Sequence, residues 1–256
     1  MAFPIYNRGL VYHKVSENYE WGLTTTTPKQ FRAQMLELQR LGFLFSNIKN
    51  QDISKNQILV TFDDGYSNIN EFAVPILDEV GGVATVFAIS DYVGKKNSWD
   101  YFPVEKQVDH MNWTELRELH DRGWEIGSHG KTHRRLVGMD TKQVRSELIT
   151  SKKHIEDQLG GEVTTFCPPF NVWDSDLVSE IEQAGYSQIA ISYPLNDLPR
   201  WSGSFVPRLG VYLHDTMPFF RGKIFATPLA PLEVLQQQLI NMAGDGKILE
   251  RWWKPQ

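Results

Sequence analysis

At 256 residues, 41% hydrophobic and 22% charged, the chain can bury a full core and sits at the upper end of a single domain, so one compact unit over 1–256 is expected. A net charge of −5, a pI near 5.8 and the lack of any basic run exclude an electrostatic grip on nucleic acid. The lone cysteine, Cys167, excludes an intramolecular disulfide and a Cys-rich zinc site, leaving histidines and carboxylates as candidate metal ligands.

The opening "MAFPIYNRGLVYHKV" lacks the charged head and apolar stretch of a secretion signal, and no apolar run reaches membrane-spanning length. A cytoplasmic chain without a membrane span is therefore expected, although the trimmed start of an exported protein would read the same. Nothing specifies an oligomeric state. In chain order, "GLVYHKV" reads as a short strand, and "TPKQFRAQMLELQRLG" as a helix capped by Thr27, with Pro28 at its first position and Gly42 at its end. The strand "ILVTF" leads to a helix near Glu71 to Val80, interrupted or bent at Pro75, and then to the β-rich run "GVATVFAI". "NWTELRELHDRG" and "TKQVRSELITSKKHIEDQLG" are amphipathic helices, the second with Val144, Leu148, Ile155 and Leu159 on one side and Gly160 as its stop. "WEIGS" lies between them as a strand. "VTTFC" and "QIAIS" are strands flanking the helix "DSDLVSEIEQAG", while residues 194–204 and 215–231 read as Pro/Gly-rich loops. Such alternation predicts an α/β protein with a parallel sheet wrapped by helices, either a barrel or an open doubly wound sheet.

Two places in this pattern carry chemistry. In "ILVTFDDGYSN" a buried strand ends on the adjacent acids Asp63 and Asp64. Asp64-Gly65 by itself is a turn dipeptide, but the carboxyl ends of strands are where α/β folds build sites, so two acids there point to a metal or a general base. In "EIGSHGKTH", His129 and His133 stand four apart, directly after a strand. One carboxylate and two imidazoles make a facial ligand set for a divalent ion, and the second acid is then free to act as a base.

"TFDDGY" followed by "SHGKTH" resembles the first two motifs of the polysaccharide deacetylases of the NodB-homology type (carbohydrate esterase family 4). The preceding "VYHKV" further resembles the branch containing the poly-N-acetylglucosamine deacetylases. The resemblance spans a motif-bearing core of about 10–215, followed by a C-terminal loop and helix over 216–256. It implies a distorted (β/α) barrel with fewer than eight strands. It also implies a divalent metal and hydrolysis of an N-acetyl group from an amino-sugar or oligosaccharide substrate. Zinc is the default ion for such a ligand set, with Co2+, Ni2+ or Mn2+ compatible.

Carried onto these residues, the resemblance makes Asp63 the catalytic base and Asp64 the metal ligand together with His129 and His133. The third motif corresponds to "CPPFN", residues 167–171. Phe170 would offer its backbone N–H to the oxyanion, beside Pro169. Cys167 stands where many members have an arginine that orients the base, and Asn171 replaces a glycine, which a residue tolerant of left-handed φ can do. Arg208 could reach the site from another strand end, but a surface or structural role is the expectation, and Cys167 is expected as a small buried strand residue.

The late motif corresponds to "VYLHDTMPFF", with His214 as the candidate acid for the departing amine and Asp215 assisting it, unless "VPRLGVYLHD" is an edge strand whose histidine faces solvent. Asp197 is loosely placed as a tuning carboxylate. His13 would line the site by resemblance, although strand alternation leaves its direction open. His110, His120 and His154 are expected to be structural or exposed. Alternative readings are removal of another N-acyl group such as formyl, or a degenerate carbohydrate-binding protein, the latter motivated by the altered "CPPFN".

Overall fold

A computed structural model describes residues 9–17, 24–52, 54–97, 108–193 and 198–225. Asp197 and residues 226–256, which include most of the expected C-terminal segment, lie outside that set. The described segments form β1 (Gly9–Tyr12), β2 (Lys14–Val15), β3 (Thr25–Thr26), α1 (Pro28–Arg40), β4 (Leu44–Ser46), β5 (Gln57–Phe62), α2 (Val74–Glu79), β6 (Thr85–Ala88) and α3 (Trp113–Asp121). They continue with β7 (Glu125–Ser128), α4 (Thr141–Leu159), β8 (Thr165–Phe166), α5 (Ser175–Gln183), β9 (Gln188–Ser192), β10 (Ser204–Gly210) and α6 (Met217–Phe225).

The helix starts follow their side-chain caps. Thr27 accepts from Gln30 N with Pro28 in the first turn of α1, Asn112 and Glu115 form a capping box at α3, and Asp174 accepts from Leu177 N at α5. Gly160 closes α4 in the left-handed region at φ 70°. The helix expected from Glu71 opens earlier, with a π turn over Ile69–Ala73 that runs into α2. Pro75 sits in the first turn of α2, where its missing N–H leaves no helical bond unmade.

One segment read as a loop is regular: 217–225, within the expected loop 215–231, form α6. Residues 204–210 form β10 despite Pro207. β10 is an inner strand, hydrogen-bonded to β9 on one side and β1 on the other, not the edge strand that Pro207 suggests.

All pairings in the main sheet are parallel, in the order β1-β10-β9-β8-β7-β6-β5-β4. β1 also pairs with β5, from Gly9↔Leu59 to Tyr12↔Phe62, which closes seven strands into a barrel and leaves β4 as an outer addition on β5. The expected α/β architecture, a distorted barrel of fewer than eight strands, is the one found.

Strand alternation then sorts side chains into lumen and outer wall. Leu59, Phe87, Ala190 and Val206, with Ile48 and Cys167, form an apolar cluster separate from the larger core under the helices. Gly127 lacks a side chain because the Phe87 ring fills its place: a Cβ there would sit 2.6 Å from Cε1. At the amino end of the strands the buried Glu125 accepts from Thr85 Oγ1 (2.9 Å), Thr165 Oγ1 (2.6 Å) and the Lys49 N–H (2.8 Å), a polar floor with its acceptors satisfied. The carboxyl end is where the candidate residues gather.

Candidate active site

Asp63 follows β5 in phase with Leu59 and Thr61, and its N–H donates to Tyr12 O (2.9 Å), so the carboxylate enters the top of the barrel. There it meets Arg208, reached from β10 by the same alternation. Arg208 Nη1 donates to Asp63 Oδ1 (2.6 Å) and to Thr61 Oγ1 (2.9 Å), and Nη2 donates to Asp63 Oδ2 (3.1 Å) and to Cys167 Sγ (2.9 Å). The guanidinium lies 5.1 Å from the Phe87 ring centroid and the residue is 1% exposed. This rules out the surface alternative: Arg208 is a buried, two-pronged partner of the first aspartate. Burial alone would push the Asp63 carboxyl up, but the Arg208 charge, with smaller contributions from His129 and His13, outweighs it and holds the group below its ordinary range. Cys167 is a small buried residue as expected, its Sγ 3.6 Å from Asp63 Oδ2.

Asp64 takes a different path. It sits at φ 70°, outside the strand geometry, and turns its carboxylate away from the Arg208 pair toward the loop after β7. Its Oδ1 lies 3.4 Å from His129 Nε2 and 3.3 Å from His133 Nε2. His129 Nδ1 is 2.7 Å from Cys167 O, a contact that fixes the proton on Nδ1 and turns the Nε2 lone pair toward Asp64. Oδ1 is fully buried yet accepts no hydrogen bond, so two imidazoles and a carboxylate converge without satisfying one another. Among the described residues, Asp64, His129 and His133 present one ligand atom each within 4.8 Å of the others. That donor set fits a divalent cation. Burial tends to raise the Asp64 carboxyl; the two histidines beside it hold it well below the usual carboxylate range.

The 3-10 turn Pro169–Asn171 packs against this centre. Phe170 adopts φ 60°, ψ 10°, a rare conformation for a bulky residue, and its ring centroid is 4.7 Å from that of His133. Asn171, at φ 54°, ties the turn to the end of β9 by donating to Ser192 O (3.1 Å) and accepting from Ser192 N (2.7 Å). Pro169 is buried beside Gly130.

His13 lies just past β1. Gly9, two positions before Val11, pairs in register with the inward-facing Arg208 on the neighbouring β10, so alternation aims His13 inward as well. Its Nδ1 is buried without a hydrogen-bond partner, and its charge acts on Asp63, Asp64 and His133. The structure thus brings His13, Asp63, Asp64, His129, His133, Pro169 and Phe170 together.

His214 is on the loop after β10, exposed, with its ring parallel to Tyr212 at 5.8 Å. Asp215 is engaged structurally: Oδ2 accepts from Tyr212 N (2.7 Å) and from Lys223 on α6. Gln30 on α1 donates to the carbonyls of Tyr212 and Asp215 (3.2 and 3.0 Å), which straps this loop down.

Two residues beside the site were given no site role by the sequence reading, Arg208 and His110. Arg208 could have been found from "SFVPRLG", in which Val206, Arg208 and Gly210 share the inward phase once the segment is accepted as a strand. His110, expected to be structural or exposed, is buried beside the site. It stacks on Tyr66 (4.9 Å) and contacts Lys95 O through Nδ1 (3.0 Å), its Nε2 has no partner, and the Asp64 and His133 charges reach it. His120 pairs with Asp121 at 3.6 Å and His154 packs on Trp113, as structural residues.

The sequence model of the family described as polysaccharide deacetylase matches residues 50–189, over half the chain. Among curated relatives, the YxkH protein of Bacillus subtilis (strain 168), assigned by name to the polysaccharide deacetylases, is 27% identical over 194 residues, covering 72% of this chain and 64% of its own. A poly-beta-1,6-N-acetyl-D-glucosamine N-deacetylase of Staphylococcus aureus is 24% identical over 193 residues, 71% of this chain and 62% of its own. The chain thus spans less than two thirds of the length of these relatives. Of solved structures, a polysaccharide deacetylase from Bacillus cereus superposes with a TM-score of 0.69 at 25% identity, over 85% of this chain and 69% of that one. IcaB from Ammonifex degensii shares the fold, with a TM-score of 0.70 at 19% identity over 86% and 97% of the two chains.

Proposed function

The chain belongs to the polysaccharide deacetylase family, and from that premise we propose that it is a metal-dependent hydrolase removing the N-acetyl group from an amino-sugar unit of a polysaccharide or its biosynthetic precursor. The observation that carries this reading is the division of labour between adjacent acids. Asp63 is held by Arg208, whereas Asp64 faces His129 and His133 with a buried oxygen that accepts no hydrogen bond.

Asp64, His129 and His133 would hold a divalent ion, zinc by default, which supplies Lewis acidity toward water and toward the acetamide carbonyl. Asp63 accepts the proton of the attacking water. Arg208 serves that step by keeping the carboxylate ionised and fixing its plane, since both of its oxygens are engaged by the guanidinium. The Phe170 backbone N–H, presented by the left-handed turn, supports the developing oxyanion. His214 donates a proton to the departing nitrogen, because an amide nitrogen leaves poorly as an anion, and the Asp215–Lys223 pair keeps its loop in place. His13 lines the sugar side of the centre.

The test is acetate release from N-acetylglucosamine oligomers by zinc- or cobalt-loaded protein, run beside N-formylated analogues. Release should fall by about 10²–10⁴-fold in Asp63→Asn, the usual worth of a general base. Equal release by wild type and variant, or preference for the formyl sugar, would contradict the reading.

A further inference from the structure

α4 carries an anomaly on its buried face. Val144, Leu148 and Ile155 line it at helical spacing, and Glu147 and Ser151 fall on the same side and are buried with them. A carboxylate on a core face is rarely tolerated without partners, so its partners indicate what it is for. Glu147 Oε2 accepts from the backbone N–H groups of Lys131 and Thr132 (both 2.9 Å), and Oε1 accepts from Thr132 Oγ1 (2.5 Å). All three donors belong to the short segment between His129 and His133.

That segment is hard to hold. Gly130 has φ 82° and His133 has φ 57°, left-handed backbone at both ends of the connection. The loop after β6 takes its carbonyls, with Ser90 N on Gly130 O (3.2 Å) and Asp91 N on Lys131 O (3.0 Å). Glu147 takes its N–H groups. One helical turn on, Ser151 accepts from Ser128 Oγ (2.9 Å), and that hydroxyl accepts from Gly130 N (3.2 Å).

We propose that Glu147 is a positioning residue for the metal centre, a hydrogen-bond template that fixes the spread of His129 and His133 so that both Nε2 atoms converge on Asp64. The inference rests on the metal-site reading above and goes beyond it in assigning a residue from α4 that touches neither substrate nor ion. Groups that orient metal ligands in this way typically matter 10–100-fold in affinity.

The test is the zinc dissociation constant of the full chain, measured by competition with a chelating dye, alongside the thermal unfolding of metal-free protein. Glu147→Ala should weaken zinc binding by about 10–100-fold. Glu147→Gln should stay within a few-fold of wild type, because the amide oxygen still accepts from both N–H groups and its NH2 can donate to Thr132 Oγ1. Thr132→Val, which deletes one bond and spares the fold if Glu147→Ala does not accumulate, should lose about fivefold, the worth of one hydrogen bond. Wild-type affinity in Glu147→Ala or in Thr132→Val would overturn the proposal, as would an equal loss in Gln and Ala, which would make charge rather than geometry the cause. Asp64→Asn calibrates the assay. If wild type binds zinc no better than Asp64→Asn, the metal reading itself falls and this inference with it, whereas tight wild-type binding with an indifferent Glu147→Ala overturns this inference alone.

Discussion

Asp63 and Asp64 are chemically identical neighbours given opposite surroundings. Asp63 faces a guanidinium across the lumen, and Asp64 faces two imidazoles over the rim. Removing the guanidinium tests how much of the proposed base's character comes from it. In Arg208→Met the Asp63 carboxyl keeps its burial and loses its main counter-charge, so its pKa rises and the acidic limb of the pH profile of kcat/KM moves to higher pH. Stability should drop by about 3–5 kcal/mol, as for one buried charge stripped of its partner. The sign is fixed by the depressed native pKa: the pair contributes fully above the ordinary carboxylate range and loses its contribution as pH falls below it. The gap between wild type and variant in urea unfolding should therefore be larger at pH 7 than near pH 4. A constant gap with an unmoved limb would show that Arg208 only packs. At this scale the acids and the two histidines beside Asp64 were legible as candidates because their types and spacing carry the chemistry. The direction of Arg208 was not, because its inward phase with Val206 and Gly210 is visible only once the segment is taken as a strand.

The elements explain why the site has its shape. The residues of the site come from the carboxyl side of five strands: His13 after β1, Asp63 and Asp64 after β5, His129 after β7, Cys167 after β8 and Arg208 within β10. α1 and α6 brace the β1–β10 side. Glu37 on α1 holds Arg40 one turn on (2.8 Å) and Arg221 on α6 (2.7 Å). Its carboxyl is lowered to about 2, first by the hydrogen bond from Arg40 against a smaller opposing effect of burial, then by Arg221. Because the native value is depressed, this brace is intact above the ordinary carboxylate range and is lost as pH falls toward about 2. Glu37→Gln should flatten the acid side of the wild-type stability curve in denaturant titrations at stepped pH, and an unchanged curve would mean that α6 is held by other contacts. Sequence periodicity located α1, α3, α4 and α5, whose caps and apolar stripes are local signals. It missed α6, which fell in the Pro/Gly-rich stretch read as a loop, and offered β10 only as an edge strand. Yet Pro207 pairs in register with Ile191, and Pro218 stands in the first turn of its helix.

For the whole molecule, closure is the decisive event. Alternating strands and helices allow an open sheet as readily as a barrel. Only the β1–β5 pairing, between segments some fifty residues apart, makes the lumen into which Asp63 and Arg208 both point. That pairing has no signature in either strand, so the residues left both architectures open and the family resemblance supplied the barrel. Among the described residues no helix is long and apolar enough to cross a membrane. The centre draws on β5 and the loop after β7, so an ion bound there ties separate parts of the barrel together. Zinc at 100 times its dissociation constant should stabilise the fold by about 2.7 kcal/mol, and a chelator should remove that gain. Calorimetric melting at stepped zinc should show a rising midpoint in wild type and a flat one in Asp64→Asn. A flat response in both would place no ion in the native fold.

The most direct measurement pairs zinc stoichiometry with acetate release on wild type, Asp63→Asn and Asp64→Asn prepared in parallel. The two-acid division predicts one zinc and turnover for wild type, one zinc without turnover for Asp63→Asn, and loss of both for Asp64→Asn. Retained turnover in Asp63→Asn, or full zinc binding by Asp64→Asn, would contradict it.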